Sequence, residues 1–274
     1  MELKTVAVVG AGQMGNGIAH VAAATGYDVI LQDIGQAQLD RALATIEKNL
    51  GRMVKKERMT QAEADATMGR IRTTTLTADV APAQLVIEAA TENVGLKMKI
   101  FEGLDKAASP GAILATNTSS ISITKIAAVT SRPESVIGMH FMNPVPVMKL
   151  VEIIRGLQTS DATYEAVNAA AERMGKTTVL ASKDMPGFIV NRILMPYINE
   201  AVYALYEGIG TVEDVFVEKT DLLRALQSAF ARTHFRRDIA TVSVPSATFA
   251  TISILIVTRR RLSFYNVFCP TILY

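Results

Sequence analysis

Two sets of residues in this chain of 274 have the types and spacing to do chemistry. The first is a histidine and a glutamate twelve positions apart, His140 and Glu152. His140 ends the apolar run Val136-Ile137-Gly138-Met139, and Glu152 lies inside a second run, Leu150-Val151-Glu152-Ile153-Ile154. A carboxylate flanked so heavily by apolar residues needs a partner or a neutral state, because burying an unpaired charge is costly. The connecting Asn143-Pro144-Val145-Pro146 is rigid and breaks the strand, so hairpin-like pairing would bring the carboxylate to the imidazole. Such a pair orients a general base: the carboxylate selects the ring tautomer and stabilises the imidazolium formed on proton abstraction. The same two residues also read as a structural His–Glu bond.

The second set is Gly10, Gly12 and Gly15, with Ala11, Gln13 and Met14 between them, at the spacing G-x-G-x-x-G. It follows the valine-rich run Lys4–Val9, a candidate buried strand. The first glycine allows a tight turn, the second lets a pyrophosphate approach bare backbone, and the third lets the next helix pack against the strand. That helix, about Met14–Thr25, turns its free N–H groups and positive dipole end toward the phosphates. A second strand, Tyr27–Gln32, ends on Asp33, where a carboxylate grips a ribose 2′-hydroxyl and repels a 2′-phosphate. NAD is therefore favoured over NADP. A glycine-rich turn that binds nothing is the alternative, and the order strand, turn, helix, strand, acid argues against it. An NAD site also favours the chemical reading of His140 and Glu152, since oxidising an alcohol by hydride transfer needs a base for the hydroxyl proton.

The elements that must position these groups follow an α/β pattern. Helices are expected over 36–56, from an N-cap at Thr60 with Glu63 completing a capping box, and over 96–108 and 161–175. Strands are expected over 85–89, 112–116, 135–139, 149–154 and 177–180. A long helix runs through 187–207, interrupted or kinked at Pro196. Thr116-Asn117-Thr118-Ser119-Ser120 stands at the carboxyl end of a strand, where open α/β sheets bind ligands, and also reads as a cap for a helix near Ser122. Lys55 and Lys56, with Arg52 one turn earlier, read as a solvated face or as a site for a phosphate-bearing ligand such as coenzyme A. His20 and His234 have no placed acidic partner and read as structural or solvated.

Composition bounds the answer. Apolar residues make up 49% and charged residues 20%, as in soluble globular proteins. One cysteine, Cys269, excludes internal disulfides and Cys-based metal clusters, and no metal site is expected. No leader is expected ahead of the first strand, and no apolar stretch nears the roughly 20 residues of a membrane span. A cytoplasmic protein without membrane or nucleic-acid partners is the simple expectation. The net charge of +2 conceals a split: residues 1–214 carry 20 Lys+Arg against 23 Asp+Glu, residues 215–274 carry 8 against 3. All 17 glycines precede residue 211. The segment 215–274 therefore reads either as an unusual helical tail or as a stretch never selected to fold with the rest, out of frame or poorly ordered. Its Ile252–Val257 is a β-prone, uncharged run and an aggregation hazard if exposed.

Gly10–Gly15, Thr91-Glu92-Asn93, Asn117–Ser120, the whole block from His140 to Glu152, and Asp184-Met-Pro-Gly-Phe-Ile-Val-Asn191-Arg192 together resemble the 3-hydroxyacyl-CoA dehydrogenase family. The resemblance is greatest to its short-chain bacterial 3-hydroxybutyryl-CoA branch and covers residues 1–214. It implies a Rossmann-type doubly wound sheet over 1–185 that binds NAD. Residues 186–214 would begin an all-helical C-terminal domain that is truncated or replaced, since nothing after Asp214 matches. It implies His140 as base, Glu152 as its orienting partner, and Ser119 and Asn191 as donors to the substrate. Gly10, Gly12, Gln13, Met14, Gly15, Asp33, Glu92, Lys97 and Asn117 would line the cofactor, and Lys56 would meet coenzyme A. The activity implied is NAD-dependent oxidation of short-chain (S)-3-hydroxyacyl-CoA, or the reverse. The family is usually a homodimer built through the domain this chain lacks. The alternative is an NAD-binding protein whose catalysis is impaired by that loss.

Overall fold

The computed structural model describes residues 3–211 and 214, together with the backbone of 253–258 and 261–266. The chain divides into two compact units, Met1–Asn191 and Arg192–Tyr274.

The first unit is built on an eight-stranded sheet of order β3-β2-β1-β4-β5-β6-β7-β8. Its strands are β1 (Thr5–Val9), β2 (Asp28–Gln32), β3 (Ile71–Thr74), β4 (Leu85–Glu88), β5 (Ile113–Thr116), β6 (Val136–Phe141), β7 (Leu150–Arg155) and β8 (Thr177–Ala181). Strands β1–β6 run parallel; β7 is antiparallel to β6, and β8 is parallel to β7. The order reverses between β1 and β4, the switch point at which such sheets open a ligand crevice. Because the six parallel strands end on one side, Gly10, Asp33, Glu88, Asn117 and Phe141 all collect there. The antiparallel β7 begins at that same end.

Side chains alternate along each strand, so Val6 and Val8 enter one core cluster and Ala7 and Val9 the other. The first cluster is covered by α1 (Gln13–Ala24), α2 (Gln36–Lys55), α3 (Gln61–Gly69) and α6 (Asp161–Arg173). The second is covered by α4 (Val94–Ala107) and α5 (Ile123–Ala127). Helices on both faces make the sheet doubly wound. The capping box at α3 is present: Thr60 Oγ1 accepts from the Glu63 N–H at 3.2 Å, and Glu63 Oε2 accepts from the Thr60 N–H at 2.8 Å.

Two points differ from the sequence reading. Strand β3 was not expected; it is a four-residue edge strand, Ile-Arg-Thr-Thr, with one apolar residue and so no burial period to announce it. The cap of α5 is Ser122, whose hydroxyl accepts from the Lys125 N–H, not one of residues 116–120.

The helix expected over 187–207 is α7 (Val190–Tyr206), with Pro196 inside it; it starts in the first unit and continues into the second. The described backbone beyond 214 is a two-stranded antiparallel ribbon, β9 (Ser253–Thr258) with β10 (Arg261–Asn266), and not helix. Ribbon strand β9 takes in most of the apolar run noted in the sequence. His234 and Cys269 lie outside the described residues. Among the described residues no helix is long and apolar enough to cross a membrane, and no cluster of metal-ligating side chains occurs.

Candidate active site

The glycine turn has the shape a dinucleotide requires. Gly10 has φ +100, and a Cβ there would meet Ala90 Cα at 2.6 Å. A Cβ on Gly15 would lie 1.7 Å from the carbonyl oxygen of Gly10, so only glycine lets α1 start this close to β1. Gly12 is the opposite case: no atom of the described residues lies within 4 Å of its would-be Cβ. The cradle is open at Gly12 because no side chain fills it. Helix α1 begins there with no side-chain cap and no acidic residue in its first turn, leaving its positive end free for an anion. Asp33 closes the other side: Oδ2 accepts from the Ala11 N–H at 2.8 Å and Oδ1 from the Gly35 N–H at 3.1 Å. Gln13 reaches across to the loop after β6, donating to Asn143 Oδ1 at 3.2 Å, while Met14 packs its side chain against the core. These residues fit NAD.

His140 and Glu152 are directly opposed in the antiparallel register of β6 and β7, so their side chains share one face. His140 Nδ1 lies 2.8 Å from Glu152 Oε2. Glu152 is fully buried, and its other oxygen accepts from the N–H groups of Ile189 at 2.9 Å and Val190 at 2.8 Å. Burial works to raise the carboxyl's pKa, and the contacts from His140, Val190 and Ile189 outweigh it, holding it below the usual carboxylate range. An ionised carboxylate only accepts, so Nδ1 carries the proton, and in the neutral ring the lone pair is on Nε2. Among the described residues nothing bonds Nε2.

The loop after β5 is drawn toward the same place. Glu92 accepts from Thr118 Oγ1 at 2.8 Å and from the Ser119 N–H at 2.6 Å, and no described residue engages the Ser119 hydroxyl. Asn117 Oδ1 accepts from the Phe141 N–H at 2.8 Å, joining β5 to β6 where their ladder stops. Asn191 is half-buried in the first turn of α7, one residue past the N–H that meets Glu152. The loop between β6 and β7 is pinned by Lys176, whose Nζ donates to the carbonyls of Val145 at 2.6 Å and Met148 at 2.9 Å. Burial pushes that lysine's pKa down. Gly17 of α1 admits Val145, which a Cβ would meet at 2.9 Å.

Lys97 is not at the surface of the crevice. It is 1% exposed and its Nζ bonds Glu88 Oε2, with Thr116 Oγ1 at 3.3 Å. Lys56 is exposed at the end of α2 and bonds none of the other site residues.

Glu88 is the residue the sequence reading missed. It is fully buried, and it accepts from Lys97, from Thr116 Oγ1 at 2.8 Å and from the Ala90 N–H at 2.9 Å. The signal was the one used for Glu152: a carboxylate inside an apolar run, Leu-Val-Ile-Glu. Asp184, named in the sequence only as the start of the segment Asp184–Arg192, accepts from Ser122 Oγ and from the N–H groups of Ile123 and Thr124, tying the segment before α7 to α5.

A dinucleotide cradle at the switch point beside a carboxylate-oriented histidine defines an NAD-binding dehydrogenase. The chain belongs to the 3-hydroxyacyl-CoA dehydrogenase family: residues 5–185 match its NAD binding domain and residues 187–216 its C-terminal domain. A 3-hydroxybutyryl-CoA dehydrogenase of Bradyrhizobium diazoefficiens is 53% identical over 213 residues, 78% of this chain and 72% of the relative. A probable 3-hydroxybutyryl-CoA dehydrogenase of Bacillus subtilis is 49% identical, over 78% and 75%. The crystal structure of (S)-3-hydroxybutyryl-CoA dehydrogenase from Ralstonia eutropha superposes with a TM-score of 0.75 at 50% identity, covering 78% of this chain and 75% of that one.

Proposed function

We propose that this chain oxidises short-chain (S)-3-hydroxyacyl-CoA thioesters to 3-ketoacyl-CoA, or runs the reverse reduction on a substrate such as acetoacetyl-CoA. The observation that carries this reading is the 2.8 Å contact of His140 Nδ1 with the buried Glu152. With Nδ1–H committed to the carboxylate, Nε2 takes the proton of the 3-hydroxyl, and in reverse returns it to the 3-oxygen. The ionised Glu152 stabilises the imidazolium that forms. Bound NAD supplies the hydride acceptor.

Ser119 Oγ donates to the 3-oxygen, and Asn191 donates to that oxygen or to the thioester carbonyl. Gly10, Gly12, Gln13, Met14 and Gly15 cradle the pyrophosphate, the last four through backbone at the start of α1. Asp33 receives the adenosine ribose. Glu92 and Asn117 stand on the nicotinamide side, with Lys97 behind them, and Lys56 meets coenzyme A. Residues 1–185 act as the NAD domain and 186–214 as the start of the helical domain, with 215–274 outside the family pattern. The reading includes a cytoplasmic location and, by family resemblance, self-association as a homodimer.

The test is loss of NADH absorbance on adding acetoacetyl-CoA, with NADH affinity measured separately. Turnover that His140→Gln abolishes while NADH affinity stays within about twofold supports the reading; turnover that survives the substitution removes His140 as the base. The second reading, NAD binding with impaired catalysis, is favoured by the family match ending at residue 216. NADH binding without turnover in the unsubstituted chain would establish it.

A further inference from the structure

We propose that Phe188 is a positioning residue for the His140–Glu152 pair: its ring closes one flank of the imidazole, and its left-handed backbone aims the next two N–H groups at Glu152. The inference deepens the dehydrogenase reading and rests on it for the kinetic part of its test.

Gly187 and Phe188 are consecutive residues with positive φ, +78 and +50. Glycine adopts this freely. For a bulky aromatic residue it is an outlier that persists only where the surroundings impose it. Here they do so from both sides. The side chain is 3% exposed within the core cluster that also holds Ile121, Ile123 and Ile154. The Phe188 N–H donates to the carbonyl of Met185 at 3.0 Å, closing the turn. The chain leaves that turn with the N–H groups of Ile189 and Val190 both on Glu152 Oε1. An extended residue at 188 would send those donors elsewhere and leave a buried carboxylate oxygen unsatisfied.

The backbone alone would be better served by glycine at 188. What phenylalanine adds is the ring, whose centroid lies 5.9 Å from that of His140 with the planes at 64°. This edge contact restricts rotation of the imidazole. It also keeps water from the Nδ1–Oε2 bond, and a hydrogen bond screened from water is electrostatically stronger. His140 is only 6% exposed. The ring thus fixes the orientation of a base whose free nitrogen must meet a substrate hydroxyl within hydrogen-bond reach.

The test is nuclear magnetic resonance of the full chain labelled with ¹⁵N-histidine, the His140 signals being assigned with His140→Gln. The expected result is a protected Nδ1 proton in the wild type, exchanging at least tenfold faster in Phe188→Gly and at least threefold faster in Phe188→Leu. The leucine variant retains apolar bulk, so it decides the matter if the glycine variant fails to fold. In acetoacetyl-CoA reduction Phe188→Leu lowers kcat at least fivefold with KM unchanged. Exchange within twofold of wild type in the folded variants, or a wild-type Nδ1 proton already in fast exchange with solvent, overturns the proposal. A wild type without turnover refutes the dehydrogenase reading alone, because the exchange measurement still decides Phe188.

Discussion

The carboxylate of Asp33 accepts a hydrogen bond from the backbone N–H of Ala11 at 2.8 Å. The residue that follows β2 thereby holds the turn that follows β1. In the proposed cofactor site, one side chain would set both the charge that a ribose meets and the shape of the loop that the pyrophosphate meets.

Asp33→Ser removes the charge and weakens that brace. NADH affinity should fall about tenfold or more, and the preference over NADPH should shrink, since no anion remains to repel a 2′-phosphate. Fluorescence titration with each nucleotide measures both, without requiring turnover.

The glycines separate binding from folding. No atom of the described residues lies within 4 Å of a Cβ at Gly12, so Gly12→Val should unfold at nearly the wild-type temperature yet bind NADH at least tenfold more weakly. At Gly15 the added Cβ would meet a backbone oxygen at 1.7 Å. Gly15→Ala should therefore lower the midpoint of thermal unfolding before any ligand is added. Calorimetry with and without NADH distinguishes the two.

His20 is 2% exposed on α1, and among the described residues its Nδ1 has no hydrogen-bond partner. Burial, and then the nearby Lys176 ammonium, lower its pKa to about 4 from 6.5. The unfolded chain then binds a proton more readily than the folded one. Stability from this residue is full above pH 6.5, declines as the pH falls toward about 4, and levels off below that. The total is at most about 3 kcal/mol. His20→Leu should flatten the loss between pH 6.5 and 4 in urea unfolding; an unchanged slope would exclude His20 as its source.

Glu88 and Lys97 are a buried ion pair, 0% and 1% exposed. Glu88→Gln leaves the ammonium without its counter-charge and should cost about 3–5 kcal/mol. The double variant Glu88→Gln with Lys97→Met should recover most of that loss, because it removes both charges. Denaturant unfolding of the single and double variants measures the coupling directly.

What could be read along the chain was what is local in it. The glycine turn, α1 and Asp33 lie within 33 residues, and their hydrophobic period and turn chemistry specify them without reference to the rest. The Thr60–Glu63 capping box is local in the same way. His140 and Glu152 stand between these and the long-range features. Both residues were visible, as was the loop joining their strands, but the bond itself depends on a register that a one-residue slip would destroy by turning the side chains to opposite faces.

Strand β3, the Glu88–Lys97–Thr116 network and the placement of Asp184 on α5 were settled only in three dimensions. Each depends on which strands and helices become neighbours, and strand order is not encoded in local period. The sequence likewise shows where charged and aromatic residues fall, but only packing reveals that Glu88 is satisfied by donors from α4, from β5 and from the loop after β4, or that Phe188 turns left-handed against an imidazole. Local propensity determined the cradle for the dinucleotide. Tertiary pairing decided that a histidine and a carboxylate would meet beside it.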